Sequence, residues 1–407
     1  MTTLHDEIDA LARIDSEHPG GGLVREVYTP EYDDAVEFVD RLMRDAGLQT
    51  RLDAAGNLYG RWDGADPGLP LVLTGSHFDT TLNAGRYDGV LGVLGAIDAV
   101  RQLRADGFSP RRTIEIVGIA GEEPRFGSGC IGSRAMTATI SRSELDQMRD
   151  RDGVSVAEAM AGRGLDPDRV GDAVIDPATI RCFVELHIEQ GAVLETTGNQ
   201  IGIVQRIAAP HDLRVTLTGR AMHAGATPMR LRADALSGAA EAALELERLA
   251  LASPSGTTVA TVGVLEVEPG AVNVIPGRVT MDLDIRDSDS AARERVVATI
   301  IAKLHELADR RGLAVEIETI TRDEPAACSP LVIEAVTGAC EALGVTAIDM
   351  ISGAYHDAMV LGAQVPIGMI FVPSRGGLSH HPDEYTAPEE IDDGVAVLAG
   401  TLARLSG

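Results

Sequence analysis

The stretch Leu71–Val100, LVLTGSHFDTTLNAGRYDGVLGVLGAIDAV, constrains the fold of this chain more than any other. It opens on a short apolar run, Leu71 to Leu73, that reads as a buried strand. It turns polar at Gly75-Ser76-His77-Phe78-Asp79 and passes through a loop containing Gly and Asn. At Asp88-Gly89 it resumes with an apolar run to Val100 that is long enough for a helix. A strand carried on to Asp79 has a period of two, which puts His77 and Asp79 on one face. His77 then ends a strand and Asp88 starts the next helix, which is where open α/β sheets bind ligands. Taken alone, Asp88 reads equally well as a helix cap and His77 as a satisfied polar residue. The acids and histidines further along the chain shift that balance.

Length and charge narrow the class. A chain of 407 residues exceeds one ordinary core, so two domains are expected. The formal charge of −27 and a pI of about 4.7 argue against nucleic acid and anionic membrane surfaces as partners. Lys303 is the only lysine, which nearly excludes Schiff-base lysine chemistry and a P-loop. Cys130, Cys182, Cys328 and Cys340 form no C-x-x-C pair, a pattern of reduced thiols in a cytoplasmic protein. The acidic, amphipathic start MTTLHDEIDALARI lacks the features of a signal peptide, and no apolar run reaches transmembrane length.

Periodicity divides the chain into two characters. Residues 3–15 and 31–47 have helical spacing, short strands are expected at 48–51 and 57–61, and buried strands at 114–120 and 181–187. From about Ala208 the pattern becomes that of half-exposed antiparallel strands (213–218, 257–265, 279–285, 314–319) with helices at 233–251 and 291–311. Strand, helix, two strands, helix, strand is an α+β sandwich of the size of an inserted domain. After Asp323-Glu324-Pro325 the first character returns, with a helix at 331–343, a strand at 366–372 and a closing helix at 389–405. The expected domains are therefore 1–208 with 325–407, and 209–324. The fold class is α/β, a discontinuous domain with a mixed sheet flanked by helices, plus the inserted sandwich.

Three strands end in residues that can bind metal: His77 with Asp88, Glu122-Glu123, and His187. A late loop adds His380 and His381. Chain-distant His, Asp and Glu at strand ends suit a divalent metal such as zinc. Adjacent glutamates at a strand end point in different directions, so one can ligate while the other handles a proton. Each piece alone has a bland reading, since a Glu-Glu pair is usually a solvated edge and His-His-Pro-Asp a polar loop. The joint pattern is much more specific.

That pattern resembles the dinuclear metal amidohydrolases of the hydantoinase/carbamoylase type, relatives of the zinc aminopeptidases and carboxypeptidases. The group includes N-carbamoyl-L-amino-acid amidohydrolase, allantoate amidohydrolase and β-ureidopropionase. The resemblance rests on GSHFDT (75–80), GRYDGVLGV (85–93), Glu122-Glu123 with GSRA (132–135), ELHIEQG (185–191) and HAGATPM (223–229). It continues through NVIPGRV (273–279), DLDIRD (282–287), SGAYHDAM (352–359) and GLSHHP (377–382). The chain departs from the family in Pro124, where EEG-x-RF is common, and in His381, where a small residue is usual.

The resemblance implies two divalent metal ions per subunit, zinc or manganese, cobalt or nickel. His77, Asp88 and His187 would hold one, and Asp88 would bridge to a second held by Glu123 and His380, with His380 favoured over His381 by the motif. It implies Glu122 as general base, Asp79 as the partner that fixes the His77 imidazole, and His223 as oxyanion stabiliser. Gln190, His211, Asn273, Arg286 and Gly353 would contact substrate, with Arg286 pairing its carboxylate. It further implies a homodimer through the inserted lid domain, and hydrolysis of a ureido or carbamoyl C–N bond in a small acid with release of ammonia. A dipeptidase or aminoacylase with the same metals is the rival, and a catalytically dead binding module is disfavoured by the intact Glu122 and ligand set. Read from the residues alone, His223 is as readily a polar strand end, and Arg286 a surface arginine between Asp284 and Asp287. His356-Asp357 reads as a structural pair, and His5, His18 and His305 receive no role.

Overall fold

The computed structural model describes residues 3–16 and 19–407; His18 lies outside the described residues. The chain divides into two compact units. The first comprises Met1–Gln205, Ala327–Met350 and His356–Gly407, and the second Arg206–Ala326 with Ile351–Tyr355. The short segment Ile351–Tyr355, expected with the outer parts of the chain, thus belongs with the insert.

Thirteen strands occur among the described residues, in chain order β1 (Gln49–Leu52), β2 (Leu58–Trp62), β3 (Leu71–His77), β4 (Ile114–Ile119), β5 (Ile180–Ile188), β6 (Ile201–Ile207), β7 (Ala209–Thr218), β8 (Val259–Glu268), β9 (Arg278–Asp287), β10 (Ala314–Arg322), β11 (Ala326–Ala327), β12 (Ala347–Ser352) and β13 (Ile367–Val372). The larger sheet runs β1-β2-β4-β3-β5-β13-β6-β11, with β12 paired to β6. Its middle, β4-β3-β5-β13, is parallel, while β2 and β6 join it antiparallel. Every residue of β3, β4 and β13 is buried, which explains their continuous apolar runs: parallel strands are covered on both faces.

β3 pairs with β4 on one side and β5 on the other, so the strand order reverses at β3. Ligands bind at such a reversal, outside the carboxyl ends of the strands. Close strand pairing here depends on Gly75, whose φ is +144° and whose missing Cβ would lie 1.9 Å from the Val117 carbonyl oxygen. Helix Val90–Ala105 follows β3 and is apolar almost all round, with eleven buried residues. It packs against helix Pro388–Ser406, which also packs on helix Pro330–Leu343. Full burial of each Leu or Ile in this layer contributes about 1.5–3 kcal/mol.

The second unit has its own core and an all-antiparallel sheet in the order β10-β7-β9-β8. Strict alternation along β9 buries Val279, Met281, Leu283 and Ile285 against helices Ala235–Leu251 and Ser290–Arg311. Edge strand β8 leaves Val259, Val264 and Leu265 exposed.

Strands β6 and β12 are not anticipated by the sequence reading. β6 runs into β7 with only Ala208 between them, so no Gly, Pro or Asn marks its end. The four cysteines are free and buried. No helix among the described residues is long and apolar enough to cross a membrane.

Candidate metal centre

Neighbouring strands deliver the histidines and acids of the first unit. His77 is the last residue of β3, Glu122 and Glu123 follow β4, and His187 lies one residue before the end of β5. Asp88 stands in the turn before helix Val90–Ala105, and His380 in the loop between β13 and helix Pro388–Ser406. β3 stops at His77, so the expected period-two relation of His77 to Asp79 does not hold; Asp79 lies in the loop beyond the strand.

Asp88 is the hub. Its Oδ1 lies 3.1 Å from His187 Nε2 and 3.7 Å from His77 Nε2. Its Oδ2 lies 3.2 Å from His380 Nε2, which is 3.4 Å from Glu123 Oε1. Two groups of potential ligand atoms result, His77/Asp88/His187 and Asp88/Glu123/His380, each with its atoms within 4.8 Å of one another. One carboxylate oxygen faces each group, which fits two cations sharing Asp88. Imidazole and carboxylate donors suit zinc or a similar divalent ion. His381 turns away, its Nδ1 accepting the Asp383 N–H.

The second ring nitrogens of His77 and His187 are engaged as a metal site requires. His77 Nδ1 lies 3.1 Å from the Asp79 carbonyl oxygen and His187 Nδ1 2.9 Å from that of Ile188. Donation of Nδ1–H to a carbonyl leaves Nε2 free to ligate. Asp79 thus orients His77 through its main chain, since its carboxylate is 3.7 Å from Nδ1. That carboxylate instead accepts the N–H groups of Gly121, Glu122 and Glu123 at 3.2, 3.4 and 3.1 Å. Asp79 therefore fixes the turn that aims the two glutamates. Gly89, at φ +65°, brings helix and ligand together, and a Cβ there would meet the His77 ring at 2.4 Å.

Electrostatics point to a cation. Burial pushes Glu122 well up, aided by Glu123, Asp357, Asp88 and Asp79, and pushes Glu123 up to about 8. Burial likewise raises Asp79 to about 7 and lowers His77 to about 4. For Asp88, burial is outweighed by hydrogen bonds from His187 and His380, which hold it well below the usual carboxylate range. So many buried carboxylates in one place are costly without positive charge among them.

Around these residues lies a supporting layer, in which the sequence reading assigned no part to Ser76, Ser133, Glu185 and Ser379. Gln190, expected at the substrate, donates from Nε2 to Asp88 Oδ2 at 2.8 Å. Ser379 Oγ lies 2.7 Å from the same oxygen. Glu185 accepts the Ser76 hydroxyl at 2.6 Å and the Ala358 N–H at 3.2 Å. His356 is buried edge-on against His187, their ring centroids 4.6 Å apart, and the Asp357 carboxylate accepts the Ser133 hydroxyl. Glutamate, serine and histidine in these motifs give no local signal of such contacts. Glu185, His187 and His356 form a third group of potential ligands, but Glu185 already has two donors.

The other expected contacts lie in the second unit. His223 is exposed, and its Nδ1 accepts the N–H groups of Gly225 and Ala226 at 3.1 and 3.2 Å. Asn273 is its neighbour, its carbonyl accepting the Ala224 N–H at 2.9 Å. Arg286 donates from Nε to Asp284 at 2.8 Å and from Nη1 to the Gly353 carbonyl at 3.2 Å. Asp287 is engaged elsewhere, by Ser255, Thr257 and Thr258. His211 is buried and paired with Glu294 at 3.0 Å.

Comparison with known proteins agrees with this geometry. The model of peptidase family M20/M25/M40 matches residues 71–404. A ureidoglycolate hydrolase of Arabidopsis thaliana is 42% identical over 99% of this chain and 86% of its own length. An N-carbamoyl-L-amino acid amidohydrolase of Geobacillus stearothermophilus is 43% identical over 95% of this chain and 94% of its own. The crystal structure of a hydantoinase/carbamoylase family amidase from Burkholderia multivorans superposes with a TM-score of 0.90 at 32% identity, covering 99% of this chain and 97% of that one.

Proposed function

The chain belongs to peptidase family M20/M25/M40, and on that premise we propose that it hydrolyses a ureido C–N bond, releasing ammonia from an N-carbamoyl-L-amino acid or a related ureido acid. The observation that carries the reading is Asp88, one oxygen toward His77 and His187 and the other toward Glu123 and His380. We assign His77, Asp88 and His187 to one divalent ion and Asp88, Glu123 and His380 to a second. Bound there, such ions would supply Lewis-acid polarisation of the ureido carbonyl and acidification of water.

The side chains do the rest. Glu122, 3.8 Å from His77 Nε2, takes a proton from the attacking water and returns it to the leaving nitrogen. Asp79 keeps Glu122 aimed by holding the main chain of its turn. His223 uses Nδ1 as an acceptor, so its neutral ring carries the proton on Nε2 and can donate to a developing oxyanion. Loss of one such donor typically costs about 3–4 kcal/mol in transition-state stabilisation. Arg286 is assigned to the substrate carboxylate, with Gln190, Asn273, His211 and Gly353 as further contacts.

The likeness to ureidoglycolate hydrolase favours a small 2-hydroxy ureido acid as a second substrate reading. We further assign a homodimer through the second unit. The exposed apolar side chains of edge strand β8 support it, because an uncovered edge invites pairing. A release assay tests the whole reading. Ammonia should come from N-carbamoyl amino acids, allantoate or ureidoglycolate, with little amino acid from dipeptides or N-acyl amino acids. The reverse preference would assign the centre to a dipeptidase or aminoacylase.

A further inference from the structure

Two ligand-bearing segments of the first unit are loops, the turn through Asp88 and the stretch around His380, and one buried side chain joins them. Glu384 is 4% exposed. Its Oε1 accepts the N–H groups of Tyr87 at 2.8 Å and Asp88 at 3.1 Å. Its Oε2 lies 3.1 Å from the Ser379 hydroxyl, which is also within 2.7 Å of Asp88 Oδ2. The main chain closes the other side, the Glu384 N–H donating to the His381 carbonyl at 3.0 Å. Gly85 makes the room: a Cβ there would stand 2.3–2.4 Å from the Glu384 side chain.

We propose that Glu384 is a positioning residue that ties the Asp88 turn to the His380 loop and so presets the carboxylate shared by both ion sites. It touches neither ion set directly and acts through the main chain of Tyr87 and Asp88 and through Ser379. The proposal rests on the reading of Asp88 and His380 as ligands. Outer partners of metal ligands typically contribute about 10–100-fold in metal affinity, and this one bears on both sites through Asp88.

The test is Zn²⁺ affinity of the full chain by competition with a chromophoric chelator, well below the melting temperature, together with amide hydrogen exchange. Glu384→Ala removes the acceptor for the buried Asp88 N–H and the part-buried Tyr87 N–H. It should weaken Zn²⁺ binding at both sites by about 10–100-fold and speed exchange at Tyr87 and Asp88. Glu384→Gln keeps an acceptor oxygen for those groups while losing the charge, so its affinity should stay within about threefold of wild type. Glu384→Asp, which draws the carboxylate back by a methylene, replaces the alanine variant if that does not fold. Unchanged affinity in the truncated variant overturns the proposal. So does a Gln variant as weak as Ala, which would assign the effect to charge. Wild-type protein that binds no Zn²⁺ overturns the ligand reading itself, an outcome distinct from both.

Discussion

His187 and His380 are each pushed up to about 9. In His187 burial opposes the charge but the Asp88 hydrogen bond overcomes it, and in His380 that hydrogen bond is the main cause. Glu123 rises to about 8, mainly through burial. A raised value means that the proton is still held at pH 7, whereas His77, lowered to about 4, and Asp88 have already lost theirs. Ligands bind metal only when deprotonated, so uptake of both ions at pH 7 should release about three protons from the ligands His187, His380 and Glu123, and Glu122, likewise raised, must lose its own to act as base. Affinity should accordingly climb as pH rises toward 9 and fall away below 8. Calorimetry in buffers of different ionisation enthalpy reads the proton count directly, and uptake without release would contradict these assignments. Most of this set could be picked out from the sequence because His77, Glu123 and His187 sit at or just beyond a strand end and Asp88 at a helix start, whereas His380 stands in a loop and came only with its motif. Glu384 could not be, because it meets Asp88 across 296 positions through backbone groups that any residue would offer. The pairing of buried His211 with Glu294 likewise left no trace in the sequence, since the two stand 83 positions apart.

At the scale of elements, the centre is held by β3 and the helix Val90–Ala105 that follows it. Ile97, fully buried two turns into that helix, faces the core and none of the ligands is near it in the chain. Ile97→Ala should cost about 2–5 kcal/mol of stability, seen as a lower urea midpoint at unchanged slope, with metal stoichiometry intact. Loss of ions in that variant before unfolding would mean that the helix packing, and not the loops, sets the site. The buried parallel strands and long helices were readable because their apolar runs are long and clearly bounded. β6 was missed because it runs on into β7 with only Ala208 between them, and β12 because most of its residues are part-exposed and give no alternating or continuous apolar pattern; pairing of β6 with β13 and of β12 with β6 defines them. The end of β3 was overrun by two residues for a related reason: a strand's period continues in the sequence after its hydrogen bonds stop.

For the whole molecule, the sequence carried the change of character at Ala208 and the return after Pro325, since half-exposed and fully buried strands differ in pattern. By the family resemblance we assign His223 to the centre of the neighbouring subunit. Mixing two inactive proteins, Glu122→Gln and His223→Ala, under conditions of subunit exchange should then restore part of the activity, because one centre per heterodimer regains both groups. Confirmed exchange without recovery would place His223 in its own subunit's centre. The central claim is narrower, that Glu122 performs proton transfer at a centre built on Asp88. Ammonia release from an N-carbamoyl-L-amino acid by Glu122→Gln protein, with metal content measured on the same sample, tests it most directly. The account predicts full metal occupancy with turnover lowered about 10²–10⁴-fold, since the amide ligates nothing here and cannot carry the proton. Wild-type turnover at full occupancy would contradict it.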